Sequence, residues 1–248
     1  MRFILFGNHF SLSGFAAVKS AQKHIQPDRV FMHIRDFPSD NELLKRAVEE
    51  FNVTVVPARN VQEIFGYSVG VPAHRSDVLR MEILLLFGGI YMDLDVFALK
   101  SVDELLQHEF VIGKQQRFFI DGLCNGILMA KPCSRFMLEW RRIYQTFIDE
   151  RWEDHSVILP WVLSQATTFK NKQDLMHIEE TSFHGASPEE VFSPTSTYDF
   201  SQHYFVHLWS SAVRQKPELF NLYGNDFNNY KAVDSPYSRL MKSILEEN

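Results

Sequence analysis

The sequence predicts an α/β protein with a mostly parallel central sheet flanked by helices. Short apolar runs that are typical of strands alternate with longer amphipathic runs that are typical of helices over residues 3–57. A chain of 248 residues, of which 45% are hydrophobic, is long enough to bury one sizeable core. Successive strand–helix units favour parallel pairing through right-handed crossovers, and a ligand site is then expected beyond the carboxyl ends of the strands.

The elements follow from local patterns of apolar residues, glycines and prolines. The predicted strands are residues 3–6, 30–34, 53–56, 90–99, 110–113, 127–130 and 205–209. The predicted helices are residues 14–24, 40–50, 76–87, 102–106, 134–150, 155–169 and 235–246.

Residues 76–99 predict a helix, a Gly-Gly stop and a strand that carries two aspartates. The helix covers residues 76–87, with Ser76 as its N-cap. In the following strand the side chains alternate, so Asp93 and Asp95 project from one face with carboxylates roughly 6–7 Å apart. Two carboxylates beside an apolar strand are costly unless they bind a cation or face water. The pattern therefore predicts a divalent metal site.

Composition excludes several classes of protein. A formal net charge of −6 argues against a nucleic-acid partner, and two cysteines argue against a disulfide scaffold. The first residues lack a signal-peptide pattern, and no segment reaches the ~20 apolar residues of a transmembrane span. We expect a cytoplasmic chain without a transmembrane segment, or one in the Golgi lumen if an anchor was removed.

Five motifs together resemble one enzyme family. They are Ser-Asp-x-x-Arg at 76–80, Gly-Gly-x-Tyr-x-Asp at 88–93, Asp-Leu-Asp at 93–95, an Asn-Gly segment at 125–132, and His-Leu-Trp at 207–209. This combination resembles the DXD-containing sugar transferases of glycosyltransferase family 32, which include α-1,4-galactosyltransferases and initiating mannosyltransferases. The resemblance covers roughly residues 1–211. It depends on the combination of motifs, because a DXD motif by itself is weak evidence for a sugar transferase.

The resemblance implies a GT-A type fold in a single catalytic domain, residues 1–248. Residues 1–124 would form the nucleotide-sugar and metal-binding half, residues 125–211 the acceptor-side half, and residues 212–248 a C-terminal extension. The implied reaction moves a hexose from a nucleotide sugar, with a UDP-sugar favoured, to a hydroxyl of a glycan, lipid or protein. Retention of configuration, and thus an α-linkage, is expected, as is a role in polysaccharide biosynthesis.

The family's site residues carry over to matching positions. By resemblance, Asp95 binds Mn²⁺ or Mg²⁺, Asp93 holds the ribose and reaches the metal, and His207 adds a late metal or phosphate contact. The catalytic residues implied are Asp77, Arg80 and Asn125. The donor contacts implied are Phe6, Gly7, Asn8, Asp77, Arg80, Asp93 and Trp209. A hard cation held by carboxylates suits this chemistry because it neutralises the departing diphosphate.

Other interpretations stay open. Asp77 and Arg80 could form only an i,i+3 surface ion pair, worth about 0.3–0.5 kcal/mol. Asn125 beside a glycine is also ordinary turn chemistry, and His207 could be a structural histidine. At the level of function, the alternatives are a GDP-mannose-dependent mannosyltransferase and a protein that binds or hydrolyses sugar nucleotides without transferring the sugar.

Overall fold

The computed structural model of the protein describes residues 1–117, 120–172 and 174–246, so the last two residues of the predicted C-terminal extension lie outside it. The strands are β1 (Arg2–Leu5), β2 (Val30–Ile34), β3 (Val53–Pro57), β4 (Glu63–Ile64), β5 (Tyr67–Ser68), β6 (Gly89–Met92), β7 (Val96–Ala98), β8 (Phe110–Arg117), β9 (Ile120–Ala130), β10 (His177–Glu179) and β11 (Phe205–His207). The helices are α1 (Leu12–His24), α2 (Glu42–Phe51), α3 (Pro72–Phe87), α4 (Arg135–Ile143), α5 (Leu159–Ser164), α6 (Pro188–Phe192), α7 (Ser210–Val213), α8 (Pro217–Tyr223) and α9 (Pro236–Glu246).

A seven-stranded sheet in the order β10-β8-β9-β6-β1-β2-β3 forms the centre of the fold. β1 pairs in parallel with β2 and β6, β2 with β3, and β10 with β8. Only β9 runs against its two neighbours among the described strands of this sheet. The predicted α/β class with a mostly parallel central sheet is therefore confirmed.

Helices cover both faces of the sheet and close two hydrophobic cores. Along β1, Phe3 and Leu5 enter one core while Ile4 enters the other, as the two-residue period of a strand requires. The first core includes apolar side chains of α1, α2 and α9, and the second includes those of α3 and α4. Among the described residues, no helix is both long and apolar enough to cross a bilayer.

Helix α3 begins one turn before its predicted start. Its first residue is Pro72, whose fixed φ suits the first helical position and whose missing N–H costs nothing there. The prediction that Ser76 is the N-cap is therefore wrong. Ser76 lies inside the helix, where its hydroxyl accepts a hydrogen bond from Arg80.

The predicted strand over residues 90–99 is also wrong as a single element. β6 ends at Met92 and β7 begins at Val96, with a turn between them that the Val96 N–H closes on the Asp93 carbonyl at 3.2 Å. β6 belongs to the large sheet, whereas β7 pairs with β11. The two aspartates thus lie on a turn and not on one face of a strand.

The two predicted helices after β9 are shorter than their patterns indicate. Helix α4 stops at Ile143 and a 3₁₀ turn, Tyr144–Thr146, follows. The second predicted helix is a π-helical turn, Asp154–Ile158, continued by α5. His155 connects the two segments: its ring lies 3.0 Å from the Thr146 carbonyl, and its own carbonyl accepts a hydrogen bond from the Trp140 indole.

Candidate functional site

A cleft of about 270 Å³ lies at the turn between β6 and β7. Seven of the predicted site residues line it: Asp77, Arg80, Asp93, Asp95, Asn125, His207 and Trp209. They come from α3, the turn after β6, β9 and the end of β11. The fold therefore joins motifs that are more than a hundred residues apart in the chain.

Asp93, Asp95 and His207 form one group of potential metal ligands. Each offers one ligand atom, and these atoms lie within 4.8 Å of one another. Gly126 leaves room beside them, because a Cβ at this position would lie 3.1 Å from Asp93 Oδ2 and 3.3 Å from His207 Cε1. Two carboxylates and an imidazole are a donor set that suits Mn²⁺ or Mg²⁺. The residues present thus fit the divalent cation that the DXD pattern implies.

His207 and Asp95 carry opposite charges in the metal-free protein. Burial would lower the pKa of His207, but the Asp95 carboxylate, 3.4 Å from Nε2, raises it well above its usual value. Burial would likewise raise the pKa of Asp95, but the His207 charge and the Ser210 N–H lower it. The proton on His207 therefore balances the charge of Asp95 where a cation would otherwise do so.

Arg80 is the centre of a second group of polar side chains. Its guanidinium donates to the Asn125 carbonyl and side-chain oxygen at 2.8 and 3.1 Å. It lies 3.2 Å from one carboxylate oxygen each of Asp77 and Asp93, and it also donates to the carbonyl and hydroxyl of Ser76. All three guanidinium nitrogens of Arg80 thus donate to protein acceptors, so a direct contact with a bound sugar would compete with these contacts.

The second group is buried, and this sets its electrostatics. Arg80 and Asp77 are only 5% and 6% exposed, so the interpretation that they form only a surface ion pair is wrong. Burial raises the pKa of Asp93 and outweighs the opposing effect of Arg80. The Tyr91 hydroxyl donates to Asp93 at 2.5 Å and holds its carboxylate toward the guanidinium. Asp93 therefore belongs to both groups and connects them.

Asn125 is a member of the buried network and not a turn residue. It lies within β9, and its side-chain amide donates to Asp77 Oδ1 at 2.8 Å. The contacts of Asp77 with Asn125 and Arg80 both use Oδ1, so Oδ2 has no protein partner among the described residues. Asp77 thus has one carboxylate oxygen that its contacts with Asn125 and Arg80 do not use.

Trp209 lies directly against the metal-ligand group. Its ring stacks on His207 with centroids 4.1 Å apart, and its indole N–H donates to the Ala186 carbonyl. The backbone of Trp209 is left-handed, with φ of 54°, which is unusual for a bulky residue. Trp209 is the N-cap of α7, which begins at Ser210, so the chain turns at the edge of the cleft.

Phe6, Gly7 and Asn8 follow β1, and they are not among the residues that line the cleft. β1 pairs in parallel with β6, so its carboxyl end and the turn that carries Asp93 lie at the same edge of the sheet. Their contact with a nucleotide remains a prediction.

Several residues of the cleft were not found from the sequence. Trp152, Glu153, Ser156 and Val157 line it from the π-helical turn and the segment before it. His184 adjoins His207, with ring centroids 5.3 Å apart. A π-helical turn often marks a functional site, but no sequence pattern predicts one. The position of His184 depends on tertiary packing alone.

Comparisons with known proteins agree with this geometry. Residues 16–112 match the family model of the glycosyltransferase sugar-binding region containing a DXD motif. The chain is 27% identical over 243 residues to Glucan organizing enzyme 1 of Cryptococcus neoformans var. grubii, covering 90% of this chain and 64% of that protein. It is 23% identical over 172 residues to an uncharacterized protein of Arabidopsis thaliana, covering 68% and 26% of the two chains. This chain thus spans less than two thirds of either relative.

Solved structures share the fold at low identity. The apo glycosyltransferase GlyE of Streptococcus pneumoniae superposes with a TM-score of 0.56 at 12% identity, covering 99% of this chain and 63% of that one. The galactosyltransferase LgtC, solved with donor and acceptor sugar analogues, gives 0.53 at 14% identity and covers 99% and 96%. These neighbours confirm the predicted GT-A type fold. Residues 16–112 are thus similar to the sugar-binding region of glycosyltransferases that contains a DXD motif.

Proposed function

We propose that the chain is a metal-dependent glycosyltransferase that moves a hexose from a UDP-sugar to a hydroxyl group, with retention of configuration. One observation carries the proposal. The metal-ligand group of Asp93, Asp95 and His207 shares a single cleft with the buried network of Asp77, Arg80 and Asn125, and Asp93 belongs to both. A cation-binding group beside a group that can bind hydroxyls is what a sugar diphosphate requires.

In this proposal Asp95, Asp93 and His207 hold Mn²⁺ or Mg²⁺. The cation, when bound, stabilises the negative charge that develops on the leaving diphosphate. His207 would give up its proton on metal binding, because the imidazole binds a cation only in its neutral form. Gly126 keeps the space between the ligands free of a side chain.

Asp77, Arg80 and Asn125 would position the donor sugar. Oδ2 of Asp77 would accept a hydrogen bond from a sugar hydroxyl, while Oδ1 stays in contact with Asn125 and Arg80. We assign Arg80 mainly to positioning, because its N–H groups already hold Asp77, Asp93 and Asn125 in place. Asn125 lies between Arg80 and Asp77 and contributes to the same rigid arrangement.

The acceptor would enter past Trp152. This side chain is 55% exposed although it lines the cleft, and an exposed aromatic face can stack on the apolar face of a sugar ring. Residues 125–211 would thus supply the acceptor side, while residues 1–124 supply most of the donor and metal side. A glycan acceptor fits this exposed indole better than a bare hydroxyl of a small molecule.

The retaining mechanism we propose is front-face attack, in which the leaving phosphate takes the proton of the acceptor hydroxyl. Asp77, Asp93 and Asp95 are committed to other contacts, which leaves Glu153 as the further described carboxylate that lines the cleft. If Glu153 acted as a covalent nucleophile, Glu153→Gln would abolish transfer. Front-face attack predicts a loss of less than tenfold.

The proposal is tested by transfer assays with UDP- and GDP-linked hexoses, Mn²⁺ and a panel of oligosaccharide acceptors. The expected result is an α-linked product from a UDP-sugar, identified by NMR, that Asp95→Asn reduces at least a hundredfold. Asp234→Asn serves as control, because this carboxylate is exposed and pairs only with Arg239 in the contacts described. Transfer from GDP-mannose alone would contradict the proposed donor, and hydrolysis without transfer would contradict the transferase activity. A β-linked product would contradict retention of configuration.

A further inference from the structure

A second group of metal-ligating side chains lies directly behind the DXD group. Cys124, His184 and His207 are all buried, and each offers one ligand atom within 4.8 Å of the others. The Cys124 Sγ lies 4.0 Å from His207 Nδ1, whereas the opposite ring nitrogen of His207 faces Asp95. His207 therefore lies between Cys124 on one side and Asp95 on the other.

His184 gives an independent reason to consider a ligand here. Its side chain is 6% exposed, and neither ring nitrogen meets the distance and angle of a hydrogen bond with a described residue. The Cys124 backbone is near enough to oppose the lowering of the His184 pKa by burial, but burial prevails. A buried polar atom without a partner costs about 1–3 kcal/mol. The ring packs against His207 and Trp209, a role that phenylalanine would fill without this cost. Packing alone therefore does not explain a histidine at this position.

The strands bring His184 and Cys124 together by a specific arrangement. Gly113 on β8 is paired with Cys124 on β9, at the point where the register of the two strands shifts. A Cβ on Gly113 would come within 2.6 Å of the His184 ring. Because Gly113 has no side chain, the imidazole can lie over the strand pair next to the thiol.

From this arrangement we infer that Cys124, His184 and His207 form a binding site for Zn²⁺ that competes with the cation at Asp93 and Asp95. A thiolate and two imidazoles are typical zinc ligands, and they disfavour Mn²⁺ and Mg²⁺. Tetrahedral zinc with bonds of about 2.0–2.3 Å separates its ligand atoms by about 3.3–3.6 Å. The present ligand atoms lie within 4.8 Å of one another, so side-chain shifts of at most about 1.5 Å complete the site. Water supplies the fourth ligand.

Access exists from two sides. Cys124 and His207 line the cleft described above, and His184 lines a neighbouring cavity of about 590 Å³. The site therefore lies between the two spaces and does not require the core to open. On binding, the Cys124 thiol and His207 Nδ1 each release a proton to solvent, and the zinc–sulfur and zinc–nitrogen bonds form.

Competition follows from the two ring nitrogens of His207. With zinc on Nδ1, the proton stays on Nε2 and donates to Asp95, which is the usual pairing of a zinc-bound histidine with a carboxylate. His207 then cannot offer Nε2 to a cation held by Asp93 and Asp95. Zinc would thus act as an inhibitor at a position that the nucleotide sugar does not occupy. This competition, but not zinc binding itself, rests on the proposed function of the DXD group.

Cobalt binding tests the site without reference to activity. The whole chain, stripped of metal with a chelator and kept reduced with a phosphine, is titrated with Co²⁺ in a spectrophotometer. We expect one equivalent to bind with a thiolate charge-transfer band in the near ultraviolet, and Zn²⁺ to displace it. Cys124→Ser and His184→Phe should each lose the band. Cys133→Ser should keep it, because Cys133 is the exposed free cysteine.

The outcomes separate the two claims. No thiolate band in the wild type, or a band that persists in Cys124→Ser, would overturn the zinc site. Should Cys124→Ser fail to fold, His184→Phe gives the same test with the thiol intact. Competition is measured by electron paramagnetic resonance of Mn²⁺, with one equivalent of Zn²⁺ expected to weaken Mn²⁺ binding at least tenfold in the wild type and not in Cys124→Ser. Unchanged Mn²⁺ binding in both would overturn the competition and leave the zinc site standing.

Discussion

Replacing Arg80 by methionine tests the buried network most directly. The change keeps much of the side-chain length but removes the charge and all the N–H groups that hold Asp77, Asp93 and Asn125. Removing one partner of a buried ion pair leaves an uncompensated charge and typically costs about 3–5 kcal/mol. We therefore expect Arg80→Met to lower the free energy of unfolding by this amount near neutral pH.

The pH dependence of the loss identifies its cause. Arg80 lowers the pKa of Asp93, which burial already raises, so its removal raises that pKa further. At low pH the folded variant can protonate Asp93 and escape part of the penalty, whereas at higher pH it cannot. The difference in the free energy of unfolding between wild type and Arg80→Met should therefore grow from pH 5.5 to pH 8.

Urea unfolding of metal-free protein at the two pH values provides the measurement. Arg46→Met is the matched control, because Arg46 also lies on a helix but forms an exposed i,i+4 pair with Glu50. This control should cost less than about 1 kcal/mol at either pH. If Arg80→Met is no more destabilising than Arg46→Met, or if its effect does not vary with pH, the buried network does not have the role assigned to it.

Three further predictions concern single side chains. Gly126→Ala should weaken Mn²⁺ binding at least tenfold by calorimetry, because the new Cβ lies 3.1 Å from Asp93 Oδ2; unchanged affinity would show that the glycine is not needed there. Trp152→Ala should raise the KM for a glycan acceptor at least fivefold and leave the donor KM unchanged; an effect on the donor alone would contradict the acceptor role. Burial beside Arg2 lowers the pKa of His33 to about 4, so the free energy of unfolding should be highest above pH 6.5 and fall by at most about 3 kcal/mol toward pH 4. His33→Gln should remove this part of the pH dependence in urea titrations, and an identical pH profile would refute it.

Local patterns predicted the parts of the fold that depend on local physics. β2 occupies its predicted residues, and Gly88 and Gly89 adopt positive φ values of 63° and 103° where α3 gives way to β6. At Gly88 a side chain would also meet Pro132 at 2.7 Å, so both the conformation and the packing require glycine. Alternation of strands and helices was enough to predict the class of the sheet.

The DXD segment shows why periodicity alone was insufficient. Apolar residues recur through residues 90–99, yet the chain turns at Asp93 because β7 leaves the large sheet to pair with β11. The partner strand lies about a hundred residues later, and no local pattern contains that information. Spacing nevertheless predicted Asp93 and Asp95 as a metal pair, and the family resemblance added His207. The structure brings the three side chains together, and their role as ligands stays a prediction.

His184 could not have been found in this way. It lies 60 residues after Cys124, outside every motif, and reaches the site only because Gly113 admits its ring. For Arg80 the motif predicted a place in the site, but the sequence did not predict the surroundings of its side chain. The burial of Arg80 and its hydrogen bonds to Ser76 and Asn125 appear only in the folded chain.

Metal-dependent binding of the nucleotide is measured by isothermal titration of UDP into the whole chain, with and without Mn²⁺. We expect binding that needs Mn²⁺ and is stronger for UDP than for GDP. Asp95→Asn should reduce it at least a hundredfold, whereas Asp234→Asn should not. UDP binding of equal strength with and without Mn²⁺, or in Asp95→Asn, would contradict this expectation.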